Sequence, residues 1–178
     1  FEHRSVSVFR HMEEFRAINP LIKAPTLVTD DGIAISESLL IIQHFEDVAG
    51  KSLRPSDPAA RVRDLSLTGI GIVAADKAVS VEYERKRPAE KQYQPWAERI
   101  AAQLDQAFTL LDAAAQAGHL RADQLTPATV ATVIAYGFAV FVTPHVLADG
   151  AYPALKALAA ECETLPVFRQ WPIDREAP

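Results

Sequence analysis

The stretch NPLIKAPTLVTDDGIAISESLLII, residues 19 to 42, decides how the rest of the chain is read. Thr26 to Val28 and Ile33 to Ile35 are short apolar runs, and Thr29-Asp30-Asp31-Gly32 stands between them. An Asp-Gly pair in that place supplies the left-handed backbone of a tight turn, so the stretch predicts a β-hairpin. Ser36-Glu37-Ser38 follows, and then Leu39, Leu40, Ile42, Phe45 and Val48 repeat at helical spacing up to Ala49-Gly50, with glycine in the C-cap place. A helix therefore begins at the serines. Its first turn exposes N–H donors at the positive end of the dipole, and a serine hydroxyl there adds one more donor for a carboxylate. Pro25 enters the hairpin without an N–H and leaves its neighbour's backbone groups free to pair with something outside the sheet, such as a peptide-like ligand. Taken singly, Ser-Glu-Ser reads as a helix cap and Ala24-Pro25 as a strand edge. Their order and spacing together favour a binding site.

Working outward, Ser5 to Phe9 alternates polar and apolar residues and predicts a strand. Glu13, Glu14 and Arg16 around Phe15 and Ile18 predict one or two helical turns, which must stop before Asn19-Pro20 because a residue preceding proline disfavours the helical region. Strand, short helix, hairpin and helix is the order of a thioredoxin-like domain that lacks its first strand and first helix. In that arrangement the missing strand lies in mid-sheet, and its absence would leave two unpaired edges in the interior. The expectation is that the missing unit exists in a longer protein, in keeping with a chain that opens on Phe1 rather than methionine.

Lys51 to Pro58, with two prolines and the helix-start cluster Ser56-Asp57-Pro58, reads as a linker, which divides the chain into domains 1–50 and 59–178. Beyond it alanine rises and strand-like alternation ceases, so the second domain is expected to be an all-α bundle. Its helices are expected from about Ala59 toward Tyr83, from Pro88 or Gln92 to Ala117 before Gly118, from the Thr126-Pro127 start to about Val142, and from Tyr152-Pro153 to Leu165-Pro166. A tail from Val167 to Pro172 follows.

A chain of 178 residues with 49% hydrophobic content can bury a real core, and a net charge of −5 without a basic block argues against a nucleic-acid or anionic-membrane footprint. No apolar run approaches the roughly 20 residues of a membrane span, no signal peptide is visible, and the single cysteine, Cys162, leaves no internal disulfide. The reading is a cytoplasmic protein that binds small molecules.

Lys23-Ala24-Pro25-Thr26-Leu27 followed by Glu37-Ser38 and Ile41 resembles the glutathione-binding signature of the glutathione transferases. Tyr152-Pro153-x-Leu155 and Leu165-Pro166-x-Phe168 resemble that family's C-terminal domain, so the resemblance covers nearly the whole chain. It is nearest to a small bacterial group with Asp76 in the first bundle helix and then Glu84, Arg87 and Pro88. The resemblance implies a partial thioredoxin-like domain followed by a helical bundle, with the proline cis. It implies that Ala24 pairs with the cysteinyl backbone of glutathione and that Glu37 and Ser38 hold the γ-glutamyl amine and carboxylate, with Lys23 a cation beside them. Arg10 and His11 match positions that hold the glycyl carboxylate in some members, and Asp76 a position that helps hold the amine; exposed loop and helix-face residues are the competing reading for all three. The sulfur-activating serine, tyrosine or cysteine is expected upstream of Phe1. One departure is Thr129, three residues after Thr126, where many members carry aspartate: a capping box needs a carboxylate or amide there, so the helix start is expected to be weakened.

Among the remaining candidates, Trp96 and Phe108 read as packing aromatics, and only Tyr83 falls near where a second substrate is expected. His44 lacks companions at metal-ligand spacing, so no metal is expected, and Cys162 has no helix start or basic neighbour to activate it. The function implied is a homodimer that binds glutathione as co-substrate and conjugates its thiolate to a small apolar electrophile. A glutathione-dependent thiol reductase and a non-catalytic glutathione-binding or interaction protein of the same fold stay open beside it.

Overall fold

The computed structural model describes residues 1–172, so the expected end of the second domain at residue 178 lies outside the described residues. The chain separates into two compact units, the first spanning Phe1–Ser52 and the second beginning at Leu53.

The first unit contains α1 (Met12–Ile18), β1 (Thr26–Val28), β2 (Ala34–Ser36) and α2 (Ser38–Ala49). Phe15 on α1 is its buried apolar side chain. The strands run antiparallel with Thr26 opposite Ser36, Leu27 opposite Ile35 and Val28 opposite Ala34. The second strand begins one residue later than expected because Ile33 belongs to the turn. The Ile33 N–H donates to Thr29 Oγ1 at 3.0 Å while its carbonyl accepts from the Thr29 N–H, also at 3.0 Å. Gly32, with φ 83°, takes the left-handed position foreseen for it. Gly50 ends α2 in the left-handed C-cap conformation, φ 59°, and its N–H reaches back to Asp47 O.

The strand expected over Ser5 to Phe9 does not form; residues 5–7 are irregular and 8–10 turn. A strand exists only through its ladder, and β1 and β2 pair with nothing but each other among the described residues. Local bonds win instead, since Ser7 Oγ accepts from the Phe9 and Arg10 N–H groups at 3.2 and 3.1 Å.

The second unit is helical: α3 (Pro58–Arg85), α4 (Gln94–Gln116), α5 (Pro127–Val142), α6 (Pro153–Cys162) and α7 (Pro166–Gln170). Each of the five has a proline in its first two positions, where the missing N–H costs nothing and φ is already helical. Lys91 ends a short 3₁₀ turn rather than lying inside α4, and the expected tail at Val167 is instead α7. The bundle is closed by Phe108, Ile100, Leu104, Leu111 and Leu155, all essentially inaccessible. Helix α3 lies against α4 and α5, and α6 against the same two.

Three buried carboxylates tie these helices together. Asp64 of α3 accepts from the Ala128 N–H at 3.2 Å, in the first turn of α5. Asp112 of α4 accepts from the Leu155 N–H of α6 at 2.9 Å and from Gln116 Nε2 at 2.6 Å. Glu84, at the end of α3, accepts from the Tyr93 N–H at 2.7 Å and from Arg87 at 3.3 Å, fixing the turn into α4. The α5 start keeps half of the capping box, with Thr126 Oγ1 accepting from the Thr129 N–H at 3.3 Å, while Asp64 of another helix sets a carboxylate on the Ala128 N–H.

Candidate functional site

The Asn19–Ser38 segment brings two arms to the mouth of the hairpin. One is the loop Lys23-Ala24-Pro25 ahead of β1; the other is Ser36-Glu37-Ser38, where β2 passes into α2. Thr26 and Ser36 face each other as the ladder pair at that mouth, so the arms leave the sheet side by side.

In the first arm the Ala24–Pro25 peptide is cis. The Ala24 N–H and carbonyl have no hydrogen-bond partner among the described residues, so both are open to an extended peptide. The Thr26 hydroxyl closes the loop by donating to Lys23 O at 2.6 Å. In the second arm Glu37 is the N-cap of α2 with φ 74° and ψ 124°, a left-handed conformation rare for a side chain of its size, and it makes no side-chain capping bond. Its carbonyl accepts from the Leu40 and Ile41 N–H groups at 3.1 Å, which leaves the amides of Ser38 and Leu39 pointing out of the helix end. Ser38 is thus the first helical residue rather than the cap, exposed, with its hydroxyl unpartnered among the described residues. Lys23 Nζ lies 3.5 Å from Glu37 Oε1, with both side chains about half in solvent. An ion pair so exposed contributes about 0–1 kcal/mol and yields readily to a ligand charge.

These five residues, Lys23, Ala24, Pro25, Glu37 and Ser38, therefore sit on two adjoining arms of one unit. The other candidates lie on other elements. Arg10 and His11 are exposed at the start of α1, where the His11 side chain caps nothing. Asp76 belongs to α3 in the second unit and pairs with Lys77 at 2.7 Å. Phe108 is a core residue, packed edge-on against Tyr136 at 5.7 Å, while Tyr83 and Trp96 are largely exposed. Burial, with Glu161 and Glu163 beside it, pushes the Cys162 thiol up to about 11, which leaves it protonated at neutral pH.

Asn19 is the residue sequence reasoning passed over. It is 4% exposed, and its side-chain Nδ2 donates to Thr26 Oγ1 at 2.8 Å and to Ser36 Oγ at 2.9 Å while Oδ1 accepts from the Leu21 N–H at 3.0 Å. An Asn-Pro at a helix end signals an Asx turn, which Oδ1 makes here; the two long-range bonds carry no local signal.

With this geometry in view, residues 1–53 match the family of the glutathione S-transferase N-terminal domain. The uncharacterized GST-like protein YibF of Escherichia coli (strain K12) is 32% identical over 123 residues, 67% of this chain and 60% of that protein. The matched segment thus spans less than two thirds of that relative's length. A glutathione transferase family member from Pseudomonas fluorescens Pf-5, solved with bound glutathione, is 28% identical, superposes with a TM-score of 0.79, and is matched over 89% of this chain and 77% of its own. A glutathione S-transferase from Methylobacterium radiotolerans JCM 2831, in complex with glutathione sulfonate, has the same fold at 23% identity, with a TM-score of 0.77 over 95% of this chain and 79% of that one. Residues 1–53 thus match the glutathione S-transferase N-terminal domain, and the chain has the glutathione transferase fold, a thioredoxin-like N-terminal part followed in sequence by a helical part. Among the described residues no helix is long and apolar enough to cross a membrane.

Proposed function

We propose that the chain binds glutathione at the hairpin mouth and that the protein conjugates the thiolate to a small apolar electrophile. The observation that carries this reading is the combination of open Ala24 backbone groups behind a cis proline with an uncapped helix start at Glu37 and Ser38. A γ-glutamyl end group carries one ammonium and one carboxylate. The Glu37 carboxylate suits the ammonium, while the Ser38 hydroxyl and N–H at the α2 dipole suit the carboxylate, with Lys23 a second cation nearby. Ala24 then pairs with the peptide backbone between them. The bound glutathione of the P. fluorescens protein supports the ligand class.

Calorimetry with glutathione, followed by thiol-transfer assays on the full-length protein across small apolar electrophiles, tests the proposal. Micromolar to millimolar binding with measurable conjugation is expected. Binding without conjugation, peroxidase or disulfide-reductase turnover would hand the reading to a non-catalytic glutathione binder, and turnover only of disulfides to a thiol reductase. We further propose a homodimer. Val62, Leu65 and Ile72 leave an apolar stripe exposed along α3, and α2 likewise exposes Leu39, Leu40 and Ile42. Sedimentation showing monomer alone at micromolar concentration refutes it.

A further inference from the structure

We infer that Asn19 is the positioning residue of the site: its one amide group sets the spacing between the Ala24-Pro25 arm and the Glu37-Ser38 arm. The inference rests on the glutathione reading above for its ligand, and on the structure alone for its geometry.

Hydroxyl bookkeeping fixes how the amide is turned. The Thr26 hydroxyl spends its only proton on Lys23 O, at 2.6 Å, so toward Asn19 it can only accept. The Leu21 N–H, on the other side, can only donate. One orientation of the amide satisfies both, with Nδ2 toward the hairpin and Oδ1 toward Leu21. The second proton of Nδ2 then falls to Ser36 Oγ at 2.9 Å.

The consequence is a clamp. One Nδ2 proton holds Thr26, which holds Lys23 O and so closes the loop around the cis peptide. The other holds Ser36, the residue before the positive-φ Glu37 from which Ser38 and α2 follow. Both anchors sit on the mouth pair of the ladder, Thr26 opposite Ser36, so the amide closes the open end of the hairpin. Neither a hydroxyl nor a carboxylate can replace it, because the task needs two donated protons and one accepted at a single planar group. Asn19 is buried while Thr26 and Ser36 are half-buried, so removing either hydroxyl leaves an unsatisfied amide proton that water reaches poorly.

A ligand that spans both arms gains from having them held before it arrives, and loosening either arm returns that ordering cost to the binding step. The test uses Thr26→Val and Ser36→Ala, each removing one Nδ2 acceptor, together with Asn19→Ala. Glutathione affinity is measured by calorimetry well below the melting temperature, and backbone amide shifts of Lys23, Ala24, Glu37 and Ser38 are recorded without ligand. Each single variant is expected to weaken binding about tenfold, equivalent to about 1.4 kcal/mol. Thr26→Val is expected to move the Glu37 and Ser38 amides, and Ser36→Ala those of Lys23 and Ala24. Ser36→Ala added to Asn19→Ala should cost no further affinity, because the Ser36 hydroxyl serves only the Asn19 amide among the described residues, whereas Thr26→Val also removes the Lys23 bond. Where Asn19→Ala fails to fold, the two milder variants carry the test. Lower melting temperatures with unchanged affinity and unmoved remote amides would overturn the inference, since a merely structural asparagine predicts that pattern. If the wild-type protein does not bind glutathione, the proposed function falls, and the ligand-free amide shifts still decide whether Asn19 couples the arms.

Discussion

Replacing Ser38 with alanine separates a ligand-binding serine from a capping one. A serine that caps its helix loses about 1 kcal/mol of stability on truncation. Here the N-cap is Glu37, Ser38 is the first helical residue, and its hydroxyl has no partner among the described residues. Alanine is a strong helix former, so the fold should lose almost nothing. The proposed γ-glutamyl carboxylate would lose one charge-assisted hydrogen bond while keeping the Ser38 N–H and the α2 dipole. That bond is worth about 1.5–3 kcal/mol, so affinity should fall about ten- to a hundredfold. Calorimetric titration with glutathione and a thermal melt of the same variant supply both numbers. A melting temperature lowered by several degrees with unaltered affinity refutes the assignment of Ser38, and with it the second arm of the site.

Gly69 and Gly71 on α3 should respond oppositely to alanine. A Cβ on Gly69 meets nothing within 4 Å, so Gly69→Ala should stabilise by about 1 kcal/mol in thermal melts. A Cβ on Gly71 would stand 3.2 Å from the Ala131 backbone, and overpacking of about 1–3 kcal/mol should cancel or exceed the same gain. Asp64→Ala strands the buried Ala128 N–H and should destabilise by about 1–3 kcal/mol in urea melts, whereas Asp64→Asn, which keeps an acceptor oxygen, should recover most of that. The Cys162 thiol is raised from 9.0 to about 11 in the folded chain, so its contribution is fully present below pH 9.0 and is lost as pH rises through about 11. Melting temperature measured against pH should fall less steeply over that window in Cys162→Ala than in the wild type.

Legibility followed the range of the forces involved. Gly32, Gly50, Asp57-Pro58, Thr126-Pro127 and Pro153 announce their turns and caps because each acts on backbone within a few residues, and the structure bears these out. Ser5 to Phe9 failed for the complementary reason. Alternation shows what a strand would bury, but only a neighbouring ladder makes it a strand, and Ser7 offered its own backbone closer partners. The α5 start shows the same limit: its carboxylate is Asp64, 64 positions before the Ala128 N–H that it accepts from.

The site repeats this division at smaller scale. Lys23, Ala24, Pro25, Glu37 and Ser38 were readable because a proline, a strand and a helix start each leave backbone groups exposed at predictable places. Nothing in the sequence shows that the eleven residues of turn and strand from Thr26 to Ser36 return those two groups to one place with a fixed gap. The ladder achieves part of it by pairing Thr26 with Ser36, but a hairpin is free to fray at its mouth, where those groups lie. A side chain from outside the hairpin has to hold the mouth shut. Asn19 comes from the end of α1, is buried against both strands, and spends both of its amide protons there. The motif names the groups proposed to touch glutathione; the residue inferred to hold them together lies just ahead of it, in the turn that ends the preceding helix.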